Sequence, residues 1–245
     1  MFPLKESFMR ELEEIKARLA QEIRFKAAEF KELIELSSDD LDENVCPLIV
    51  LAVNRSFGGN VRPAVSLATV VQYIFMADQV HHLMNDSLDL EEGKRQFPVL
   101  VGDFLYGKFF LSLCKGKLLH FLSPLAGVIA TMNQGAISRW LGEKGKIGES
   151  EHLKILEMER ASLTGQAARL SAELAGCSEK DQNRCEALGW ELGVAWAAWR
   201  DQMGKKAVRQ SLDRAKQILM ELPENEVIPL YELYHYMERS LGEAV

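Results

Sequence analysis

The sequence contains no Cys-x-x-Cys pair, no excess of basic residues and no apolar run of clear membrane length. Without such a pair, the cysteines are expected to be free, buried thiols rather than zinc ligands or disulfides. The formal net charge of −7 argues against a nucleic-acid binder. No secretory apolar region follows the charged first ten residues, so we expect a cytoplasmic protein without a transmembrane segment. The cysteines are Cys46, Cys114, Cys177 and Cys185.

Strand-type alternation and low-complexity linkers are also missing from the sequence. Apolar residues instead recur at spacings of three and four, which is the helical period. We therefore predict an all-α protein of eight to ten helices that forms a single domain over residues 1–245. Gly176 is predicted to end a helix. The predicted helices cover 4–36, about 40–54, 63–86, 97–121, 124–141, 150–175, 181–202, 205–222 and 228–241.

Several passages in chain order carry a family resemblance. They are GGNVRPAV (58–65), LATVVQYIFMADQVHHLMND (67–86), VLVGDFLYGKFF (99–110), ERASLTGQAARLSAELAG (159–176) and LGWELGVAWAAWRDQ (188–202). Each passage is weak evidence alone, but the ordered set resembles the trans-prenyltransferase, or polyprenyl diphosphate synthase, family. The resemblance covers most of residues 55–245 and leaves N-terminal helices over residues 1–54.

The resemblance implies a bundle of mostly antiparallel helices around a central cavity. In active members, two Asp-rich motifs face each other across that cavity and hold magnesium ions on the diphosphate of an allylic substrate. Basic residues hold the diphosphate of isopentenyl diphosphate. The diphosphate leaves as a carbon–carbon bond forms, and metal ions and cations must neutralise it.

The motif positions of this sequence differ from that pattern. His82 and Leu83 stand for the two leading aspartates of the first motif, and only Asp86 keeps its carboxylate. Arg200 and Asp201 stand for the leading pair of the second motif. If each lost contact stabilises the transition state by about 2 kcal/mol, four losses remove about 8 kcal/mol, or about six orders of magnitude in rate. We therefore assign a catalytic role to no residue of the sequence.

Other cavity positions have changed as well. Glu159 and Arg160 stand where the family has Lys-Thr. We predict that Arg200 pairs with Asp86, with Glu159 as a further partner. Arg62 is the remaining match to the family's basic cluster and is a possible diphosphate contact.

A metal site is an alternative interpretation of one helix face. Asp78, His82 and Asp86 are spaced i, i+4, i+8, so they share one side of a helix. A histidine and two carboxylates can bind Zn²⁺, Mn²⁺ or Fe²⁺. The other interpretation is a polar stripe that lines an inherited cavity. His81 and Asp103 are expected to be structural, and the tryptophans Trp190, Trp196 and Trp199 to fill the core or plug the cavity.

Three functions remain open. QFPVLVGDFLYGKFF (96–110) is similar to the small, regulatory component of two-component hexa- and heptaprenyl diphosphate synthases. The first hypothesis is therefore a non-catalytic subunit of a heteromeric polyprenyl diphosphate synthase. It would pair with a catalytic subunit or with itself through helices near 97–121. No cofactor is expected. Magnesium would bind only if the chain keeps residual synthase activity.

The second hypothesis is a prenyl-related transferase with an altered metal site, and the third an isoprenoid-binding protein without turnover. A Trp-filled cavity would favour the first hypothesis, and an intact cavity with a metal the second. An open apolar tunnel without metal would favour the third.

Overall fold

The computed structural model describes residues 7–22, 41–82, 92–142, 147–222 and 227–242, with side chains from residue 97 onward in the third range. Every regular element in these ranges is helical, which confirms the all-α prediction. The helices are α1 (Met9–Glu22), α2 (Asp42–Ser56), α3 (Val61–His82), α4 (Glu92–Lys115), a 3₁₀ turn (Leu119–Phe121), α5 (Leu122–Gly142), α6 (Glu149–Leu156), a π-helical segment (Glu157–Ala161), α7 (Ser162–Leu174), α8 (Glu179–Arg200), α9 (Lys205–Met220) and α10 (Ile228–Gly242).

Helices α2 and α3 form the centre of the bundle. Both are buried over most of their length because apolar side chains cover nearly every side of each helix. The Asn60 side-chain oxygen accepts the Arg62 backbone N–H at 3.0 Å, and Pro63 follows in the first turn of α3. Helix α2 packs against α3, α7 and α10, so the central pair contacts elements from both halves of the chain.

Helices α7 and α8 approach each other closely because small residues line their contact. A Cβ atom added at Gly193 would lie 2.0 Å from the Thr164 Oγ1 atom, and one added at Gly189 would lie 2.5 Å from the Thr164 carbonyl oxygen. Only glycine permits this approach. The close contact fixes the far end of α8, which carries Arg200, relative to the π-helical segment.

Two predicted boundaries can be compared directly with the structure. Helix α7 ends at Leu174, and Gly176 has a φ of +80°, as the sequence predicts. The predicted single helix over 97–121 is wrong at its end, because Lys117 has a φ of +56° and the chain leaves helical geometry after Lys115. Parts of the predicted helices 4–36 and 63–86 lie outside the described residues.

Helix α4 has the composition of a membrane-crossing helix. Phe97–Lys115 spans 19 residues with a mean hydropathy of 1.4, and 39% of that stretch is buried. Our expectation concerned uninterrupted apolar spans, and Asp103 and Lys108 interrupt this one, although its length and composition would allow it to cross a membrane. Core helices of soluble proteins have the same composition, and α4 packs chiefly against α3.

An exposed apolar face runs along α4. Its residues are spaced i, i+4, i+7, i+11 and i+14, so they lie on one side of the helix. Leu100, Gly107, Leu111 and Cys114 are exposed, and Phe104 is half-buried. We call this surface the apolar stripe.

The four cysteines are free thiols, as predicted, but not all are buried. Cys46 and Cys185 are buried, Cys177 is half-buried and Cys114 is exposed. Burial raises the pKa of the Cys46 thiol to about 12, so this side chain behaves as a small apolar group at neutral pH.

Candidate functional site

Charged side chains from five elements meet at the C-terminal end of α3. They come from α3, α5, α6, the π-helical segment and the residue after α8. Among the described residues this is an unusually dense group of buried and half-buried ions. The group consists of Asp78, His82, Arg139, His152, Glu159, Arg160 and Asp201. We call it the charged cluster.

The π-helical segment places two charges of the cluster inside the protein. Glu159 and Arg160 are both buried on this segment, which interrupts an otherwise continuous helix from α6 to α7. Such segments widen one helical turn and often occur at functional sites. A Cβ atom added at Gly135 of α5 would lie 2.9 Å from the Glu159 Cγ atom, so this glycine makes room for the Glu159 side chain.

Arg139 holds Glu159 through a forked contact. Its Nε donates to both carboxylate oxygens at 3.0 and 3.1 Å, and its Nη2 donates to Oε2 at 2.6 Å. Burial opposes ionisation of Glu159, but hydrogen bonds from His82 and Arg139 outweigh it and lower the pKa of Glu159 to about 2. The pKa of Arg139 is raised, because the same bonds outweigh its burial. Both partners are therefore charged at neutral pH.

His82 bridges α3 and the π-helical segment. Its Nδ1 lies 2.9 Å from the Asp78 backbone oxygen, and its Nε2 lies 3.4 Å from Glu159 Oε1. Both acceptors are oxygens, so only the doubly protonated imidazolium can donate to both. Burial disfavours that form, but the hydrogen bond to Glu159 and the charge of Asp78 outweigh it and raise the pKa of His82.

Arg160 neutralises the buried carboxylate of Asp78. Its Nη1 donates to Asp78 Oδ2, and its guanidinium carbon lies 5.4 Å from the centre of the Phe75 ring. His82 Nδ1 lies 3.4 Å from the same Asp78 oxygen, as the i, i+4 spacing predicts. Asp78 thus faces two cationic groups of its own chain.

Arg139 also connects the cluster to Asp201. Its Nη1 donates to Asp201 Oδ2 at 2.9 Å, and His152 Nε2 lies 2.9 Å from that oxygen. Arg139 therefore touches two carboxylates, Glu159 and Asp201, that come from different helices. One guanidinium thereby joins the π-helical segment to the end of α8.

A second ionic group lies beside the first and involves Asp42. Arg200 pairs with one oxygen of this buried carboxylate, and Trp196 Nε1 donates to the other at 2.9 Å. Trp196 is buried, and its ring centre lies 5.2 Å from that of Phe75. We call Asp42, Trp196 and Arg200 the Asp42 group.

A cavity of about 390 Å³ opens beside the charged cluster, between α3 and α5. The α3 side of this cavity is polar, whereas the α5 side is mostly apolar. It is lined by Asp78, His81, His82, Asn133, Ala136, Ile137 and Trp140. The arrangement can take an apolar group against α5 and a polar group against α3.

Magnesium ions fit the described carboxylates poorly. Magnesium prefers carboxylate oxygens that are open to the ion. Glu159 and Asp201 are bonded to Arg139, Asp78 is bonded to Arg160, and Asp42 is bonded to Arg200. In the described ranges, no three histidine, cysteine or acidic side chains are grouped so that they could hold a metal ion.

Similarity to known proteins bears on these observations. No protein-family model matches the chain. Octaprenyl diphosphate synthase of Escherichia coli (strain K12) is 27% identical over 213 residues, which cover 82% of this chain and 64% of that protein. The chain thus spans less than two thirds of the length of this relative.

Solved structures show the same fold. A decaprenyl diphosphate synthase from Rhodobacter capsulatus matches with a TM-score of 0.77 and 15% identity, over 98% of this chain and 97% of that chain. A deletion mutant of the heterotetrameric geranyl pyrophosphate synthase of mint matches with a TM-score of 0.74 and 15% identity, over 96% and 99%.

The chain is thus similar in sequence to polyprenyl diphosphate synthases and shares the fold of solved ones. The resemblance read from the ordered passages is thereby confirmed, and so is the predicted bundle of that fold.

Arg62, the possible diphosphate contact, lies far from the charged cluster, and its contact with a diphosphate stays a prediction. Arg62 is exposed near the start of α3, twenty residues before His82. At 1.5 Å per residue the two Cα positions are about 30 Å apart along the helix.

Asp86, the predicted partner of Arg200, lies outside the described part of the chain, and so does Leu83. The described partner of Arg200 is Asp42. Glu159 was expected to share Arg200, but its bonds go to Arg139 and His82. Of the predicted metal ligands, Asp86 also lies outside the described residues. The other two, Asp78 and His82, lie together on α3.

His81 and Asp103 lie close to each other, and the structural role expected of both stays a prediction. His81 Nε2 lies 3.7 Å from Asp103 Oδ1, and a Cβ atom added at Gly102 would lie 2.0 Å from that nitrogen. These contacts hold α3 against α4. Of the tryptophans, Trp196 is in the core, whereas Trp190 and Trp199 are half-buried.

Sequence reasoning missed Arg139, His152 and Asp42. Arg139 is the only charged residue of α5, and a single charge in an apolar helix is a clue that it has a buried partner. Asp42 belongs to an acidic run with Asp39 and Asp40, and nothing in the sequence shows which of them is buried. No comparable feature distinguishes His152.

Proposed function

We propose that the chain is a non-catalytic subunit that pairs with an active polyprenyl diphosphate synthase. The observation that carries the proposal is the internal pairing of the carboxylates in the charged cluster. Glu159, Asp78 and Asp201 each contact an arginine of the same chain. These groups therefore need no external metal ion to balance their charge.

The energy of the pairs supports this proposal. A magnesium ion at Glu159 would have to displace the forked contact from Arg139, and Glu159 is only 1% exposed. Separating a buried ion pair costs about 3–5 kcal/mol when one charge is left without its partner. A magnesium–diphosphate complex would meet that cost before it gained any new contact.

The position of Trp196 also supports a subunit role over catalysis. Its indole is buried against Phe75 and bonded to Asp42. The indole therefore occupies space beside Arg200, where the family resemblance implies the second magnesium motif. Trp196 does not line the open cavity, but its position in the core beside Arg200 leaves less room for metal ions there.

The apolar stripe provides a surface for the partner. Leu100 is 65% exposed and Leu111 is 52% exposed on a helix that packs chiefly against α3. Exposed apolar surface of this kind marks interaction sites in soluble proteins. The mint relative is described as heterotetrameric, which is in keeping with a mixed assembly.

The cavity of about 390 Å³ favours a second candidate, an isoprenoid-binding protein without turnover. Ile137 and Trp140 line its α5 side and would contact an apolar chain. The cavity is open beside the charged cluster, so it could admit a ligand without disturbing Arg139. The remaining hypothesis, a transferase with an altered metal site, depends on Asp86, which lies outside the described residues.

The decisive experiment is an activity assay with and without a partner. Purified chain is incubated with isopentenyl and farnesyl diphosphates and Mg²⁺, alone and with a synthase encoded by a neighbouring gene. We expect no polyprenyl product from the chain alone. With the partner, we expect a faster reaction or a changed product length.

The matched control is the partner with a Leu100→Asp, Leu111→Asp double variant. This variant should fold normally and should not change the partner's product. Product formation by the chain alone at ordinary synthase rates would refute the proposal. Binding of a farnesyl compound without any effect on the partner would instead favour the isoprenoid-binding protein without turnover.

A further inference from the structure

Exposed apolar and basic side chains occur together where α4 turns into α5. Phe110 lies in the last two turns of α4 and is 49% exposed, and Leu119 lies in the 3₁₀ turn and is 53% exposed. Lys117, between the two elements, is also exposed. We call Phe110, Lys117 and Leu119 the α4–α5 corner. No residue of the corner belongs to the apolar stripe or to the charged cluster.

The backbone holds the corner in a defined turn. Lys117 adopts a φ of +56°, and the Leu118 N–H donates back to the Leu113 carbonyl oxygen at 2.9 Å, as in a Schellman motif. Leu118 and Phe121 are buried, whereas Leu119 between them is exposed. Two buried side chains thus anchor the turn, and Leu119 remains in solvent.

The chain around the corner contains no acidic residue. Residues 104–142 include neither aspartate nor glutamate, although the whole chain has a formal net charge of −7. In the described part of the chain, Lys117 forms no ion pair with a carboxylate. Lysines lie in or directly after the last two turns of α4, at positions 108, 115 and 117. The corner is therefore a locally basic surface on an acidic protein.

The start of α3 adds a further cation on this side of the bundle. A Cβ atom added at Gly116 would lie 3.1 Å from the Ser66 Cβ, so the end of α4 packs directly against the first turns of α3. Arg62 is exposed one turn before Ser66. Arg18 of α1 also contacts Ser66, but it pairs with Glu14 and adds no net charge. Exposed cations near the corner therefore come from more than one helix.

We propose that the α4–α5 corner docks on the surface of a bilayer that contains anionic phospholipids. Phe110 and Leu119 would enter the boundary between the head groups and the acyl chains. Lys117 and its neighbouring cations would remain at the level of the lipid phosphates, which they match in charge. The inference goes beyond the proposed subunit function and does not depend on it.

The composition of the corner favours a bilayer over another protein. A stable protein interface buries about 800 Å² on each partner, and two exposed apolar side chains are too few to form the centre of such an area. Shallow insertion of a few apolar side chains beside several cations is enough for reversible attachment to an anionic bilayer.

Co-sedimentation of the whole chain with lipid vesicles tests the inference. The vesicles consist of phosphatidylcholine alone or of phosphatidylcholine mixed with phosphatidylglycerol. We expect binding to the mixed vesicles, little binding to phosphatidylcholine, and weaker binding at high salt because salt screens the charges. Lys117→Gln should weaken binding about fivefold, the effect of one lysine near an anionic surface. Phe110→Asp and Leu119→Asp should each weaken it about tenfold or more, because a carboxylate opposes insertion.

The matched controls lie on the exposed side of α9. Lys216→Gln and Met220→Asp repeat the same chemical changes away from the corner and should bind like the unchanged chain. Leu100→Asp, in the apolar stripe, should also keep vesicle binding, so failure of the inference and failure of the subunit proposal are distinguishable. Circular dichroism checks that each variant is folded.

Three results would overturn the inference. They are no binding to the mixed vesicles, equal binding to both kinds of vesicle, and unchanged binding by Lys117→Gln, Phe110→Asp and Leu119→Asp. Weaker association of Phe110→Asp with a partner chain, when the unchanged chain does not bind vesicles, would instead assign the corner to a protein interface.

Discussion

The charged cluster and the apolar stripe of α4 reverse the usual positions of charged and apolar side chains. Glu159 is a buried carboxylate, whereas Leu100 is an apolar side chain mostly in solvent. The buried charges have partners within the chain, whereas the stripe faces outward from α3. The cluster thus balances its charges within the chain, whereas the stripe leaves apolar side chains in solvent, where a partner would cover them under the proposed function.

The largest effect is expected from breaking the cluster. Glu159→Ala leaves Arg139 and His82 without their shared carboxylate, and should lower the free energy of unfolding by about 3–5 kcal/mol. Chemical denaturation measures the change. Glu186→Ala, which removes a more exposed partner of Arg169, should cost less than about 1 kcal/mol. Equal losses in the two variants would contradict the special role of the buried pair.

A smaller effect is expected in the Asp42 group. Trp196→Phe keeps an aromatic ring beside Phe75 but removes the N–H that donates to Asp42. Hydrogen bonds to charged groups contribute about 1.5–3 kcal/mol, so the free energy of unfolding should fall by about that amount. Trp190→Phe is the control, since its indole N–H has no hydrogen-bond partner among the described residues. A loss in the control as large as in Trp196→Phe would show that ring volume alone matters.

The stripe should respond in association rather than in stability. Leu100→Asp or Leu111→Asp places a charge on an exposed apolar surface, so the free energy of unfolding should change by less than about 0.5 kcal/mol. Association with a partner subunit or a second copy should weaken tenfold or more, as measured by analytical ultracentrifugation. Met220→Asp, on the exposed side of α9, should leave association unchanged. Unaltered association in both α4 variants would place the interface elsewhere.

The smallest effect concerns pH. Folding raises the pKa of His82. The contribution of His82 to the free energy of unfolding is therefore complete below about pH 6.5 and is lost as the pH rises through the raised pKa. Because folding lowers the pKa of Glu159 to about 2, its contribution is complete above about pH 4.5 and is lost as pH falls toward 2. Both contributions are therefore present between about pH 4.5 and 6.5.

His82→Gln tests the upper limit of this window. The difference in unfolding free energy between the unchanged chain and His82→Gln should be largest below pH 6.5 and should shrink as pH rises. Denaturation at a series of pH values measures it. A difference independent of pH would show that His82 binds as the neutral imidazole.

The sequence predicts the fold better than it predicts the site. Helix periodicity and Gly176 determine most helical limits because each depends on nearby residues. The contact of Asp78 with His82 is also local, since the two residues are one turn apart. Arg139 contacts Glu159, which is twenty residues later in the sequence, and Arg200 contacts Asp42, which is much more distant in the sequence. Such pairs depend on how helices pack, which no local pattern encodes.

The π-helical segment was also invisible in the sequence. Glu-Met-Glu-Arg-Ala consists of residues that suit an ordinary α-helix, and in the fold this segment packs against α5, where Gly135 faces Glu159. The family resemblance indicated that positions 159 and 160 differ from the family pattern. It did not indicate that Glu159 and Arg160 are buried, or which residues they pair with.

The wider turn also makes the chain sensitive to deletion. Each residue of an α-helix turns the chain by about 100°, so removal of one residue between Glu157 and Ala161 would rotate all of α6 about its axis relative to α7. His152 would then swing away from Asp201. Aspartates substituted at positions 82 and 83 would leave that winding, and the Arg139–Glu159 contact, in place. The orientation of α6 relative to α7 therefore depends on the length of the π-helical segment rather than on the residues at those two positions.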